Sequence, residues 1–364
     1  MPHLLSKLTS CVHRKTHHSK YIYPNLIDKN RKYFLLSRFE LFPDEILLEI
    51  FQYIPLIDLF NTFTNLNYRF NFLLRSLQLG VDIHQNDSNN PNLLSALHFF
   101  AKQIQYIHVD RYPSLNLNIF PNLHSLIIYL PTTRQLLSIN SIQMPKLRRL
   151  WLGILIEKDQ KYLCQSLFGE NQFTKLDFCN LFQINFNVTL NCFQNLATLR
   201  RLILTNCQIK DFIILLSFLP NLIQLNICIC DVSTIYSHNL TNFSHENLRI
   251  LKIEFVEKLS QLHILNCLIS FVPYVQQFTL ILTNLIQIQD YIYLKTILLE
   301  KFLQLKKFIC SIDYYCQLTS NEMNNKFQKL RNQIPFYQTM IVIPCSIHQD
   351  QCVRKIWMNK TFIL

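Results

Sequence analysis

The sequence predicts an α/β protein in which a small module of three helices precedes a curved solenoid of strand–helix repeats. In that solenoid we expect parallel strands on the concave side and helices on the convex side. Two observations lead to this prediction. One is a single compact helical stretch, "LFPDEILLEIFQYIPLIDL" at 41–59, and the other is a spaced apolar motif that recurs along most of the following chain. The composition agrees, because 49% of the 364 residues are hydrophobic and only 16% are charged, so the chain can bury a core.

The recurring motif has the form apolar-x-x-apolar-x-apolar. Nine triplets fit it: Ile104/Ile107/Val109, Leu123/Leu126/Ile128, Leu147/Leu150/Leu152, Phe173/Leu176/Phe178, Leu199/Leu202/Leu204, Leu222/Leu225/Ile227, Leu248/Leu251/Ile253, Val275/Phe278/Leu280 and Leu305/Phe308/Cys310. Successive triplets begin 19 to 30 residues apart. Periods of about 20–29 residues with this motif are typical of leucine-rich repeats.

Prolines agree with the spacing of the motif. A proline stands two residues before the first apolar position in four repeats, at Pro121, Pro145, Pro220 and Pro273. Proline cannot donate a hydrogen bond to a neighbouring strand, so it is tolerated where a strand begins. Stacked repeats bury one continuous core. We therefore predict a solenoid over 101–313 and a cap for its last repeat over 314–364, formed by a helix and then a strand at "TMIVIP".

The helical stretch near the amino end has clear start and stop signals. Pro43 precedes two acids suited to the first turn of a helix, and Pro55 ends the apolar run. A second helix is expected around Asp58 to Thr64 and a third over Tyr68 to Leu77. The first helix carries apolar residues on more than one face, which invites a partner. The alternative is a generic helical cap on the solenoid.

Residues 42–74, "FPDEILLEIFQYIPLIDLFNTFTNLNYRFNFLL", resemble an F-box. The resemblance lies in the Phe-Pro-x-Glu-hydrophobic opening, the Tyr-Ile-Pro that closes the first helix, and Asp58-Leu59 at the start of the second. It implies an F-box over 39–78, followed by a linker with a helix over 79–100. In that family the box docks on the Skp adaptor of a cullin-based ubiquitin ligase, and leucine-rich repeats commonly follow it. By resemblance, the residues that contact the adaptor or shape the box are Phe42, Pro43, Ile46, Ile50, Phe51, Ile54 and Leu59.

The predicted concave face would hold a protein substrate. Side chains between the apolar positions point to that face because strand residues alternate. The candidate substrate-binding residues are Arg149, Trp151, Lys175, Arg201 and Lys252. In this alignment Arg149, Lys175 and Arg201 stack in consecutive repeats, and a basic row favours an acidic or phosphorylated segment. The alternative is that these long side chains only keep a strand face soluble.

The net charge of +12 is concentrated at the amino end, where residues 1–38 hold eight basic residues and one acid. This segment is expected to be a solvated, flexible leader, and the alternative is an arm that binds nucleic acid. Three functions follow. The favoured one is the substrate-recognition subunit of a Skp–cullin–F-box ligase. The alternatives are a leucine-rich scaffold outside any ligase and a nucleic-acid-associated protein that uses the basic arm.

Motifs for catalysis and for cofactors are absent from the sequence. The three glycines, Gly80, Gly153 and Gly169, never cluster, which excludes phosphate-binding loops. We expect no enzyme activity and no cofactor. Two groups contain possible zinc ligands, but neither has the spacing of a zinc module, so no metal site is predicted. Those groups are Cys11, His13, His17 and His18, and Cys310, Cys316, Cys345, His348 and Cys352.

The cysteines and the apolar stretches indicate a compartment. Most of the 12 cysteines stand singly in apolar segments, and the first residues contain no apolar run of signal-peptide length. We therefore expect free thiols and a location in the cytoplasm or the nucleus. The long apolar stretch at 212–230 is interrupted by Pro220 and three amides in register with the repeat, which argues against a membrane span.

Overall fold

A computed structural model describes residues 38–85, 87, 90–155, 157–169, 173–182, 196–231, 244–256, 261–283, 288–315, 325, 328–332, 334, 336, 341–343 and 353–361. The chain is a mixed α/β protein, as the sequence predicts. It forms two compact units, Met1–Ser114 with Asn118–His124, and Leu115–Leu117 with Ser125–Leu364. The predicted basic leader lies outside the described residues except for Arg38.

The first unit begins with helices and ends with a pair of strands. After a 3-10 turn at Arg38–Leu41 its elements are α1 (Asp44–Phe51), α2 (Leu56–Phe63), α3 (Tyr68–Ser76), β1 (Leu79–Ile83), α4 (Pro91–Phe99) and β2 (Ile104–Val109). β1 and β2 pair in parallel. The predicted second and third helices are present within two residues of their expected bounds. β1 was not predicted, since it falls in the segment interpreted as a linker.

Local signals explain where the helices of the first unit begin. Pro43 and Pro55 occupy the N-cap positions of α1 and α2. Asp44 and Glu45 lie in the first turn of α1, where their charge is favourable to the helix dipole. Asn67 caps α3 with a side chain that accepts a hydrogen bond from the backbone N–H of Phe70.

The second unit is built on one sheet. Its elements are β3 (Ser125–Ile128), α5 (Thr133–Ser138), β4 (Arg149–Leu152), α6 (Glu157–Phe168), β5 (Phe178–Leu181), β6 (Arg201–Gln208), α7 (Ile209–Phe218), β7 (Gln224–Asp231), β8 (Ile250–Phe255), α8 (Gln261–Ser270), β9 (Gln277–Thr283), α9 (Ile288–Lys301), β10 (Lys307–Tyr315), β11 (Ile341–Ile343) and β12 (Val353–Thr361). From β3 to β10 each strand pairs in parallel with the next one along the chain. β12 then pairs antiparallel with β10, and β11 with β12.

The apolar motif forms the core of the second unit. Its middle residues lie side by side on adjacent strands, for example Leu202 beside Leu225 and Leu225 beside Leu251. All three of these leucines are fully buried. Along each strand, the residues that alternate with the apolar positions of the motif are half-buried or exposed, so one face of each strand packs into the core. The curvature of the predicted solenoid stays a prediction.

One repeat has a different register from the prediction. β4 and β5 place Leu150 beside Cys179 and Leu152 beside Leu181. The triplet of this repeat is therefore Leu176/Cys179/Leu181, three residues later than Phe173/Leu176/Phe178. The prediction for Phe178 is wrong, because this residue lies on the opposite, half-exposed face of the sheet. Phe173 is still buried, in the turn that leads to the strand.

A polar contact recurs at the residue before the first apolar position. In the second unit the side chains of Thr198, Asn221 and Asn247 donate to the backbone carbonyls of Phe173, Ala197 and Pro220, over 3.0, 2.8 and 2.9 Å. Each acceptor belongs to the preceding repeat. These bonds satisfy carbonyls that the turns would otherwise leave unpaired, so they hold neighbouring repeats together.

The apolar stretch 212–230 is divided between two elements. α7 ends at Phe218, Pro220 and Asn221 form the turn, and β7 begins at Gln224. None of the helices in the described ranges combines the length and the apolarity that crossing a bilayer requires. In the predicted cap, the expected strand is β11 and the described residues 328–332 are helical. β12 was not predicted.

Candidate functional site

The three helices at 44–76 enclose an aromatic cluster. Rings from each helix and from Phe39 meet there, with centroids 4.8 Å apart for Phe51–Phe63, 5.8 Å for Phe63–Phe70 and 5.6 Å for Phe39–Phe63. Phe51, Phe63 and Phe70 are buried. Tilted and edge-on pairs at these distances add to the burial of apolar area, so this short segment has a core of its own.

Arg69 of α3 forms hydrogen bonds to the start of α1 and to the segment that precedes it. We call residues 38–43 the lead-in segment. The guanidinium of Arg69 donates to the Asp44 carboxylate over 2.7 Å and to the backbone carbonyls of Glu40 and Phe42. A second bond joins the Asn67 amide to the Glu40 carboxylate over 2.9 Å. A planar guanidinium fixes several acceptors at once, so it holds the backbone at Phe42 in place. Sequence reasoning missed Arg69, because its spacing from these acceptors carries no motif.

The lead-in segment and the three helices also expose large apolar side chains. They come from the lead-in segment, from α1 and its end, and from α3 and the turn before it: Leu41, Phe42, Ile46, Tyr53, Leu66, Tyr68 and Phe72. Single exposed apolar residues are ordinary on protein surfaces. Seven of them lie within about 40 residues, around a core that other aromatic rings already fill.

The predicted adaptor-binding residues fall into three groups. Phe42, Pro43 and Ile46 are exposed, at 44% and 41% for Phe42 and Ile46. Ile50 and Ile54 are half-buried. Phe51 and Leu59 are fully buried, so they shape the core of the three helices and offer no surface to a partner. Of the two roles that the resemblance implies, contact with the adaptor or shaping of the box, only the second fits these two residues.

The predicted basic row on the sheet is also corrected. Phe178, not Lys175, lies between Arg149 and Arg201 across β4, β5 and β6. Lys175 lies in the turn before β5, because the register of that repeat differs from the predicted one. Trp151 is where it was expected, two residues after Arg149 on the same half-exposed face. We call this face the strand face.

Aromatic and charged groups alternate on the strand face. The Arg201 guanidinium lies 5.5 Å from the centre of the Phe178 ring and 3.8 Å from the Asp177 carboxylate. The Trp151 ring meets Tyr129 edge-on, with centroids 5.2 Å apart. The fifth predicted residue, Lys252, pairs with Glu254 of its own strand over 3.5 Å, so its charge is partly offset. Arg149, Trp151 and Arg201 therefore offer two cations around an aromatic platform.

Cysteines and histidines in the described ranges form no metal-binding cluster of three or more candidate ligands. Cys310, a member of the second predicted group, is buried, and burial raises the pKa of its thiol. The other four members of that group, and all of the Cys11 group, lie outside the described residues. Cys179 is likewise buried, and its thiol pKa is raised by burial and then by the Asp177 charge.

His245 has a structural role before β8. Its Nε2 donates to the carbonyl of Leu219 over 2.7 Å, and its Nδ1 accepts from the backbone N–H of Leu248 over 3.1 Å. These two bonds require the neutral ring. Burial lowers the pKa of His245, and the nearby Arg249 charge acts in the same direction. The ring therefore links two repeats and is not a free acid–base group.

No known family model matches the chain, and no curated protein is similar to it.

Proposed function

We propose that this chain is the substrate-recognition subunit of a Skp–cullin–F-box ubiquitin ligase. In this proposal residues 39–78 are an F-box that docks a Skp-type adaptor and, through it, a cullin. The repeats of the second unit are a degenerate leucine-rich-repeat solenoid that holds a protein substrate. The chain itself carries out no chemistry, since such a subunit only positions its substrate for another enzyme. It acts in the cytoplasm or the nucleus.

One observation carries the adaptor half of the proposal. A segment of about 40 residues has a filled aromatic core and still exposes large apolar side chains, among them Phe42 and Ile46. The Arg69 bonds add support, because they hold Phe42 beside the start of α1 without burying it. A cap that only closes a repeat stack needs one apolar surface, and it has no use for a second.

Two features support the solenoid half. With the corrected register, first apolar positions from Leu123 to Leu305 are 23 to 30 residues apart, which is close to the period of leucine-rich repeats. Eight successive described strands, β3 to β10, run parallel in chain order.

On the strand face, Arg149, Trp151 and Arg201 suit a partner with an acidic or phosphorylated group next to an apolar one.

The adaptor proposal is tested by direct binding. Purified chain is titrated with a purified Skp-type adaptor, and the dissociation constant is measured by calorimetry. Replacing Phe42 and Ile46 together by Asp is expected to weaken binding by about tenfold or more, since exposed apolar anchors carry most interface energy. Both side chains are on the surface, so the fold is expected to survive the change, whereas a charge at buried Phe51 would test folding instead.

The matched control is Leu137→Asp with Ile142→Asp, which adds the same charge at two exposed apolar residues of the second unit. This variant is expected to bind the adaptor as the unaltered chain does. Equal binding by the Phe42/Ile46 variant, or no binding by the unaltered chain, would refute the adaptor proposal. The second result would leave a non-ligase scaffold as the better interpretation.

A further inference from the structure

A groove of about 720 Å³ crosses the amino ends of β5, β6, β7 and β8. We call it the basic groove. Its walls come from two rows of side chains, the residues just before and just after the first apolar position of each repeat. The row before that position includes Lys175, Asn221 and Asn247, and the row after it includes Arg200 and Arg249. Arg149, Trp151 and Arg201 belong to the strand face and are not among the residues that line the groove, although Arg201 lies beside its Asp177.

The charge of the groove is positive. Lys175, Arg200 and Arg249 line it together with one acid, Asp177. One oxygen of that acid lies 3.8 Å from the guanidinium of Arg201, which offsets part of its charge. Lys175 and Arg200 are exposed. Arg249 is half-buried and its guanidinium donates to the backbone carbonyl of Glu246, which fixes its direction. A fixed guanidinium loses less entropy on binding a carboxylate than a free one.

The spacing of these groups fits an extended chain. Arg200 and Arg249 directly precede β6 and β8, which are two strands apart in the sheet, and neighbouring strands are about 4.8 Å apart. Their backbones are thus separated by about 10 Å, close to one turn of a polyproline II peptide, in which three residues rise about 9 Å and side chains three residues apart share a face. Ile223 of the intervening repeat also lines the groove and is 38% exposed. The pattern across the groove is cation, apolar, cation.

We infer that the basic groove binds an acidic peptide segment in the polyproline II conformation, in which two carboxylates three residues apart flank an apolar side chain. The carboxylates pair with Arg200 and Arg249, the apolar side chain contacts Ile223, and Lys175 meets a further acid. A single-stranded nucleic acid fits this groove less well, since none of the described residues that line it has an aromatic side chain for base stacking. The inference does not depend on the ligase proposal, because a scaffold would use the groove in the same way.

The test is binding of a defined peptide to the full chain. A fluorescein-labelled peptide of sequence Glu-Ala-Leu-Glu-Ala-Leu-Glu is titrated with protein, and the dissociation constant is read from anisotropy. Lys175→Glu with Arg200→Glu is expected to weaken binding by about tenfold or more, since it replaces two attractive charges by repulsive ones. Lys175→Gln with Arg200→Gln is expected to give a smaller loss, and it serves if the first variant does not fold.

The chain offers a closely matched control. Lys146 and Arg148 hold the same two repeat positions around Leu147, but they do not line the groove. Lys146→Glu with Arg148→Glu changes the net charge equally and is expected to leave binding within about threefold. The inference is overturned if the Lys175→Glu, Arg200→Glu variant and the Lys146→Glu, Arg148→Glu variant lose affinity equally. It is also overturned if the unaltered chain does not bind the peptide, or if a peptide with Gln in place of Glu binds equally well. Tighter binding of a thymidine tetranucleotide would overturn it in favour of nucleic acid.

Discussion

Gly153 shows how tightly neighbouring repeats approach. Its backbone N–H donates to the carbonyl of Ile128 over 2.8 Å, and a Cβ at this position would lie 2.2 Å from the carbonyl oxygen of Tyr129. That contact is to backbone, which cannot move aside as a flexible side chain does. Gly153 follows Trp151 by two residues, so the same close approach fixes the end of the strand that carries this ring.

His245 makes the stability of the second unit depend on pH. The folded state holds the ring neutral and lowers its pKa below the ordinary value of 6.5. Between those two pKa values the unfolded chain binds more protons than the folded one, so acid favours unfolding. Its contribution to stability is complete above the ordinary pKa and is lost as the pH falls below it.

We therefore predict that the free energy of unfolding decreases between pH 7 and pH 5.5, with His245 contributing up to about 1.4 kcal/mol per pH unit. Urea unfolding at a series of pH values measures the slope. His245→Asn is expected to lower stability at neutral pH and to flatten the slope. His263→Asn, at an exposed position of α8, serves as the control and is expected to leave the slope against pH unchanged. Parallel slopes for the His245 variant and the unaltered chain would contradict this role.

At the scale of elements, the repeat spacing predicted most strands but not the register of β5. Two triplets overlap there, Phe173/Leu176/Phe178 and Leu176/Cys179/Leu181, and both fit the apolar pattern. Only pairing with β4 and β6 selects the second, since it aligns Cys179 with Leu150 and Leu202. A sequence read alone does not contain that information. The shift is by an odd number of residues, so it also exchanges the two faces of the strand.

The helical module shows a similar limit. The apolar spacing predicted the helices, and the prolines and acids predicted where they begin and end. It did not separate the residues that fill the core from those on the surface, since both are apolar and Phe51 lies one residue from Ile50. Arg69 and the groove residues Arg200 and Arg249 were not found either, because their roles depend on partners distant in sequence or on the stacking of repeats.

The corrected strand face yields a prediction about substrate capture. Arg149→Glu with Arg201→Glu is expected to reduce the amount of bound substrate by about tenfold, because charged and aromatic anchors dominate such interfaces. Adaptor binding is expected to remain unchanged, since neither residue belongs to the three-helix segment. The readout is quantitative mass spectrometry of proteins captured with each variant.

The control for that variant is Lys158→Glu with Lys301→Glu, which alters exposed lysines of α6 and α9 by the same charge. It is expected to capture substrate as the unaltered chain does. Should the Arg149/Arg201 variant retain its substrate, the basic side chains of the strand face act only as solubilising groups, and another surface holds the substrate.

For the whole molecule, the composition and the apolar pattern argued against certain binding motifs and indicated an architecture, but they did not identify a function. The scarcity of glycine argued against phosphate-binding loops, and the repeat period indicated the α/β architecture. The chain forms two compact units, and the first contains the three helices at 44–76 together with β1, α4 and β2. The proposed function rests on the exposed apolar side chains around Phe42 and on the charges of the sheet, and these are surface properties that apolar periodicity does not encode.

Purification of the complete chain from its own cells, followed by mass spectrometry, tests the central claim most directly. We predict that a Skp-type adaptor and a cullin co-purify with the unaltered chain in near-equal amounts, and that both disappear with the Phe42→Asp, Ile46→Asp variant. Recovery of the chain without adaptor and cullin, or retention of both by that variant, would contradict it.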